Sequence, residues 1–370
     1  MAENSSKKII ICPDSFKGTM DSVEAAETIA EAIRDALPTA EVYLLPIADG
    51  GEGTLECFRR SHAGSMVCVQ TRNSNFKAVN AEYFLTPDSA VIESAKVIGL
   101  FRTEFKNPMR TTSYGVGSLI ADALKHTNKI VLTLGGSSTN DGGCGIAAAL
   151  GARFLNAEGR AFIPTGATLK EIADIDISAM PSFDLTCMCD VKNPMYGKNG
   201  AAYVFAPQKG ADYIMVKELD HGLRHLAEVI KKSLGADVGE IEGGGAAGGI
   251  AAGMVAFAGA KLMSGIEIIL ESVCFDGLLD NAKLVITGEG RLDSQSVQGK
   301  VIDGITRHAK AKNVPVIAIC GQIEMGFDLK NSGLALAIAS GRSDEKLDKN
   351  HDYKKDLYDT AFNLFSSLKQ

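Results

Sequence analysis

The sequence predicts an α/β protein in which both ends of the chain build one doubly wound, Rossmann-like parallel-sheet domain, with a mixed α+β domain inserted between them. Three observations carry this prediction. Ile9-Ile10-Ile11-Cys12 is a short continuous apolar run, the pattern of a strand covered on both faces. Residues 283–287 and 315–320 repeat that pattern near the far end. The stretch 65–98 instead alternates apolar and polar residues, with turn signals at Arg72-Asn73-Ser74-Asn75 and Thr86-Pro87-Asp88.

Taken in order, the first strand breaks at Pro13-Asp14-Ser15-Phe16-Lys17-Gly18. A helix then opens with Asp21 as N-cap and Glu24 three residues on, a capping-box pair. Val23, Ala26, Ala30, Ile33 and Leu37 follow at helical spacing and Pro38 stops it. A strand over 41–47 completes a βαβ unit. In the middle of the chain, the pattern predicts a helix near 112–126 and a strand at 130–134. A glycine-rich loop follows, then a helix from about Cys144 and a strand over 183–189. At the far end come the strand 283–287, a helix over about 299–312, strands at 315–320 and 334–339, and a closing helix over 353–368. The expected domains are 1–70 with 280–370, and 71–279.

Composition narrows the function. Apolar residues make up 45% of the 370, a globular level. The net charge is −7 without a long basic run, so neither nucleic acid nor an anionic membrane is expected as a partner. The N-terminus lacks an apolar signal core, and no apolar stretch reaches 18 residues, which places the protein in the cytoplasm. Of eight cysteines only Cys187 and Cys189 are close, without zinc-site spacing, and they read as buried thiols. His221 and His225 read as a surface helix face. Glycine is enriched, 39 residues against a usual level of about 7%, and it is clustered. Such clusters mark loops where backbone approaches something closely.

Open parallel sheets bind ligands outside the carboxyl ends of their strands. Three expected strand ends carry polar, glycine-rich sequence: 14–18, Asp49-Gly50-Gly51-Glu52-Gly53, and Gly288-Glu289-Gly290-Arg291-Leu292-Asp293. A fourth segment runs through Gly135, Gly136, Ser137, Ser138, Thr139, Asn140, Asp141, Gly142 and Gly143 into a helix. Small residues before a helix N-terminus suit a phosphate cradle, although glycines also serve close packing. Asp190 ends a strand before Asn193-Pro194, where an acid can accept a proton or organise a turn. Gly243 to Gly248 satisfies G-x-G-x-x-G, but Glu240-Ile241-Glu242 before it is no buried strand, which argues against a dinucleotide site. Gly299-Lys300 ends like a P-loop, yet Ser294 and Val301 break that motif. Lys300 is a phosphate contact or a solvated first-turn lysine.

In this order, the segments 13–18, 48–54, Asn107-Pro108, 111–115, 135–143, 189–194, 206–210, 243–248, 287–293 and 299–300 resemble the type I glycerate kinase family along nearly the whole chain. Departures are mild: Ser138, Ala206, Lys198 and Ile302 stand where other residues are usual, and none removes an acid or base. The resemblance implies a flavodoxin-like domain, a family-specific second domain and an active cleft between them. It also implies ATP with Mg²⁺, and D-glycerate phosphorylated at its 2-hydroxyl. Within it, Asp190 is the expected base, with Asp14 as the alternative. Lys17 and Arg291 are the expected cations for the glycerate carboxylate or γ-phosphate, and Ser15 and Phe16 are further substrate contacts. The 135–140 loop and Lys300 fall to the nucleotide, and Asp49, Glu289 and Asp293 to the metal. Each cation could instead be a surface charge, and each acid a turn or cap residue. Kinases of neighbouring hydroxy acids and a non-catalytic sensor are the competing readings.

Overall fold

The structure, a computed structural model, describes residues 7–16, 18–45, 47–48, 50–51, 53–294, 296, 300–341, 348 and 351–367. Lys17 and Asp49 lie outside the described residues. The chain divides into two compact units, Met1–Asp49 with Ile266–Gln370, and Gly50–Gly265. These divisions fall at 49/50 and 265/266, against the expected boundaries near 70 and 280. The α/β class with parallel sheets and flanking helices is present in both units.

In the first unit, strands Ala40–Leu44, Lys7–Ile11, Ala282–Thr287, Val316–Cys320 and Leu336–Ala339 lie side by side in that order, all parallel. The two chain ends meet inside the sheet, where Lys7–Ile11 pairs with the edge strand Ala40–Leu44 on one side and the central strand Ala282–Thr287 on the other. Helices Ser22–Ala36 and Tyr353–Ser367 cover one face, packing Ala26, Ile29, Ile33 and Phe365 on Ile9, Ile11, Ile286 and Ile319. Ile10 and Val285, which alternate to the other face, are also buried. That explains the unbroken apolar runs, since each such side chain contributes about 1.5–3 kcal/mol by leaving water. The first helix starts as its sequence dictates: the Glu24 amide donates to Asp21 Oδ1 at 2.8 Å.

The second unit carries a six-stranded sheet. Lys261–Met263, Asp184–Met188, Lys129–Thr133 and Ala90–Glu93 run parallel, and Ala78–Leu85 and Ser65–Arg72 complete it as an antiparallel hairpin edge. Helix Tyr213–Leu234 buries Leu219, Leu223, Leu226 and Ile230 in this unit's core. The helix expected over 112–126 is confined to Tyr114–Ala123, because Thr111, Thr112 and Ser113 are drawn into the interior and Ser113 bonds a buried carboxylate. The strand expected over 41–47 ends at Leu44. Among the described residues, no helix is long and apolar enough to cross a membrane.

Candidate active site

In the first unit, a cavity of about 850 Å³ opens at the carboxyl edge of the sheet. Four strands end into it. Asp14, Ser15 and Phe16 follow Lys7–Ile11; Glu289, Gly290 and Arg291 follow Ala282–Thr287; Gly321 and Gln322 follow Val316–Cys320; Ser340 and Gly341 follow Leu336–Ala339. Asp293 and Lys300 also line it, so seven of the sequence-derived site residues share one cavity. Phe16 is 2% exposed and forms part of its floor. Gly288 and Gly321 are glycines for a geometric reason: a Cβ there would lie 2.0 Å from Ile319 O and 2.6 Å from Gly290 O. Crossing loops can pass so closely only without side chains.

Among the charged groups of this cavity Arg291 and His351 remain near water, whereas Glu289 Oε1 is buried. Arg291 is 62% exposed and stands 3.8 Å from Glu324, a long pair of small energetic weight. Asp14 Oδ1 accepts the Ser15 amide at 2.6 Å. Asp293 is tied to Ser296, whose Oγ accepts the Asp293 amide at 3.0 Å, so the turn role weighed for this acid is present alongside its place in the wall. Lys300 is the N-cap residue of helix Val301–Ala311. His351, Tyr353 and Asp356, which no sequence pattern singled out, complete the wall. Here His351 Nε2 meets Asp356 at 2.6 Å, and its ring packs edge-on against Tyr353.

In the second unit, the remaining residues gather at another carboxyl edge. Met188 pairs with Thr133, so Asp190 and the 135–140 loop leave adjacent parallel strands at the same level. Asp190 Oδ1 accepts Ser264 Oγ at 2.7 Å and the Gly265 amide at 2.9 Å. The carboxylate is therefore held across the sheet edge by the segment after Lys261–Met263. Gly135 abuts Gly50-Gly51: its amide donates to Gly50 O at 3.3 Å, and a Cβ would meet Gly51 Cα at 2.6 Å.

The phosphate cradle needs correction in two respects. The amides of Gly135 and Ser138 are committed to Gly50 O and Ile98 O, and Ser138 Oγ also bonds Ile98 O, so these groups brace the loop. The positive end of helix Cys144–Ala149 is already filled by the chain's own Asp141. That fully buried carboxylate accepts Ser113 N and Oγ at 2.7 and 2.8 Å, and the Gly143 and Gly145 amides at 3.3 Å each. Burial pushes its pKa up and these donors pull it back. Glu93 does the same at helix Thr54–Ser61, accepting the Gly53 and Leu55 amides.

Beside the loop lies Lys209, 3% exposed, whose Nζ donates to Thr139 O at 2.7 Å and Ser137 Oγ at 3.1 Å. Burial lowers its pKa to about 7, with Asp141 acting in the opposite sense. Only its place within the 206–210 motif pointed to Lys209, since a single lysine in a loop reads as a solvated charge. Residues 239–245 form turns before helix Ala246–Ala258, so no strand precedes the glycine run, as its flanking sequence implied. Cys187 is buried and Cys189 half-buried. His221 is exposed, but His225 turns inward to the Ile172 carbonyl, 2.7 Å away, because Ile172 closes the core beside it.

No three His, Cys, Asp or Glu side chains among the described residues are grouped to hold a metal ion by themselves. Magnesium that arrives on a nucleotide needs fewer, usually one or two carboxylates with phosphate oxygens. Glu289 and Asp293, which both line the cavity, fit that modest requirement.

The sequence profile of the glycerate kinase family matches residues 9–369. Glycerate kinase of Halalkalibacterium halodurans is 44% identical over 329 residues, covering 86% of this chain and 87% of that protein. Glycerate 2-kinase of Escherichia coli K12 is 42% identical over 325 residues, covering 85% of each. A crystal structure assigned as glycerate kinase 2 of Salmonella typhimurium LT2 superposes with a TM-score of 0.86 at 40% identity, covering 98% of both chains. With two carboxyl-edge sites built from the segments that carried the resemblance, and this agreement along almost its whole length, the chain belongs to the glycerate kinase family.

Proposed function

We propose that this protein transfers the terminal phosphoryl group of ATP to the 2-hydroxyl of D-glycerate, giving 2-phosphoglycerate and ADP. What carries the reading is membership of the glycerate kinase family over nearly the full chain, including a relative named for the 2-kinase activity. The first unit is read as a flavodoxin-like domain, since its strands lie in the order 2-1-3-4-5 when counted along the unit. We read the enzyme as cytoplasmic, with D-glycerate and ATP as small-molecule partners and with neither nucleic acid nor a membrane among them.

Phosphoryl transfer passes through a loose transition state, so the protein chiefly positions the reactants and balances charge on the moving oxygens. In this reading Arg291 and Lys17 receive the glycerate carboxylate or the γ-phosphate, and Ser15 and Phe16 shape the acceptor's surroundings. A planar guanidinium suits a carboxylate, and the exposed Arg291 has freedom to turn toward one. Within the 135–140 loop Thr139 and Asn140 contact the nucleotide phosphates, together with Lys300. Magnesium bound with ATP would neutralise charge between the phosphates, held by Glu289 and Asp293 and, outside the described residues, Asp49.

Asp190 is the proposed base. Its carboxylate takes the proton of the glycerate hydroxyl as that oxygen bonds to the γ-phosphorus; the bond to the bridging oxygen breaks, and ADP leaves with the electron pair. Ser264 and Gly265 orient the carboxylate for this step through Oδ1. Asp14 is the alternative base. An ADP-release assay with D-glycerate, tartronate and a short sugar acid tests the reading. D-glycerate is expected to give the highest kcat/KM, and another acceptor exceeding it tenfold would overturn the substrate assignment.

A further inference from the structure

We propose that Lys209 is a positioning residue for phosphoryl transfer, its buried amino group setting the shape of the 137–140 loop that receives the nucleotide; this rests on the loop assignment made above. Three features converge on that loop. Lys209 ends the short turn Pro207–Lys209 and is followed by Gly210 at φ +97°, where a Cβ would lie 2.3 Å from Lys106 O. The backbone is thus pinned on its outer side, and the side chain runs inward to Thr139 O and Ser137 Oγ.

The opposite side is pinned as well. Residues 247–249 stand in left-handed conformation at φ +54°, +71° and +87°, the first of them an alanine, which interrupts helix Ala246–Ala258. A non-glycine residue in this region is costly and persists only where its surroundings enforce it. That turn presses on the same loop: the Gly142 amide donates to Gly248 O at 3.1 Å, and a Cβ on Gly248 would lie 2.1 Å from Thr139 O. Thr139 O is therefore gripped between the Lys209 amino group and the Gly248 backbone.

The loop so held keeps polar atoms that the protein does not use. Thr139 Oγ1 and both amide atoms of Asn140 are buried without a hydrogen-bond partner among the described residues. Buried polar groups of native proteins are almost always satisfied, so these are groups for which an ordered water or a ligand oxygen supplies the partner. A loop needed only for packing would be better served by apolar side chains. Lys209 fixes the carbonyl between them and thereby their direction, and its charge is also within the influence of Asp141.

The test is kinetic. Lys209→Met, Asn140→Ala and, as a packing control, the core variant Leu219→Ala are compared for kcat, for KM of ATP and of D-glycerate, and for melting temperature. Lys209→Met is expected to raise KM for ATP by about 10- to 100-fold, the order of loss that a misplaced binding group brings, with KM for glycerate changed less than about threefold. Leu219→Ala should lower the melting temperature and leave both KM values in place. Lys209→Gln, which keeps reach and donors without charge, should fall between wild type and Lys209→Met; it carries the comparison if the methionine variant does not fold. If Asn140→Ala raises KM for ATP while both Lys209 variants leave it within twofold, the proposal fails and the loop assignment stands. If Asn140→Ala also leaves it unchanged, the loop assignment has failed and the proposal with it.

Discussion

The two carboxyl edges of this protein are built from similar sequence and solve opposite problems. In the first unit, Arg291 stays exposed at an open cavity, 3.8 Å from the partly exposed Glu324. In the second, Asp141 and Glu93 are fully buried at helix N-termini, and Lys209 is buried against the loop. An open edge leaves its charges hydrated and cheap to rearrange. A buried edge must satisfy every charge in place, so its groups are structural before they are chemical. Glycine-rich sequence at a strand end therefore indicates close approach, and the burial of its neighbours decides whether a ligand or the chain itself fills the space.

The sharpest test of this contrast is Asp190→Asn, at the one acid on the buried edge assigned to chemistry. Turnover should fall about 100- to 10,000-fold with nucleotide affinity held, measured by steady-state kinetics and nucleotide titration. An effect of that size from Asp14→Asn, with Asp190→Asn nearly silent, would move the base to the open edge. Next in size, Asp141→Ala strands four donors in the interior and should destabilise by about 3–5 kcal/mol in denaturant unfolding. A loss below about 1 kcal/mol would show that this edge is not braced by its carboxylate.

Lys209 gives the contrast a pH dependence. Its pKa falls from 10.5 in the unfolded chain to about 7 in the fold, so within that window the unfolded state binds more protons. Stability linked to this group is present above 10.5 and is lost as pH falls through about 7. Relative to Lys209→Met, the wild type should gain a few kcal/mol between about pH 6.5 and 9.5, at about 1.4 kcal/mol per unit, in unfolding series at matched pH. The smallest effect belongs to the open edge: Glu324→Gln should change stability by under about 1 kcal/mol, since its pair with Arg291 is long and hydrated.

Much of this was legible in the sequence, and the exceptions have physical causes. The buried strands were readable because helices on both faces demand continuous apolar runs, and Asp21 with Glu24 announced the first helix. The cavity of the first unit was readable through Asp14, Glu289, Arg291 and Asp293, because loops at parallel-strand ends must meet at one edge. The roles within 135–143 were less so: a cradle for an external anion and a cradle for Asp141 have the same glycines and the same helix start. Lys209 was hidden because burial of a lysine depends on packing from residues 137–139, about 70 positions away. His351, Tyr353 and Asp356 precede or open an ordinary amphipathic helix, and nothing local marks them as lining a cavity.

One measurement bears most directly on the whole account: phosphorus NMR of the product formed from ATP and D-glycerate, run on the wild type and on Asp190→Asn. A 2-phosphoglycerate resonance growing with ADP in the wild type, and suppressed at least 100-fold in rate in the variant, is the expected result. A 3-phosphoglycerate resonance, no phosphorylated glycerate, or an undiminished rate in the variant would contradict it.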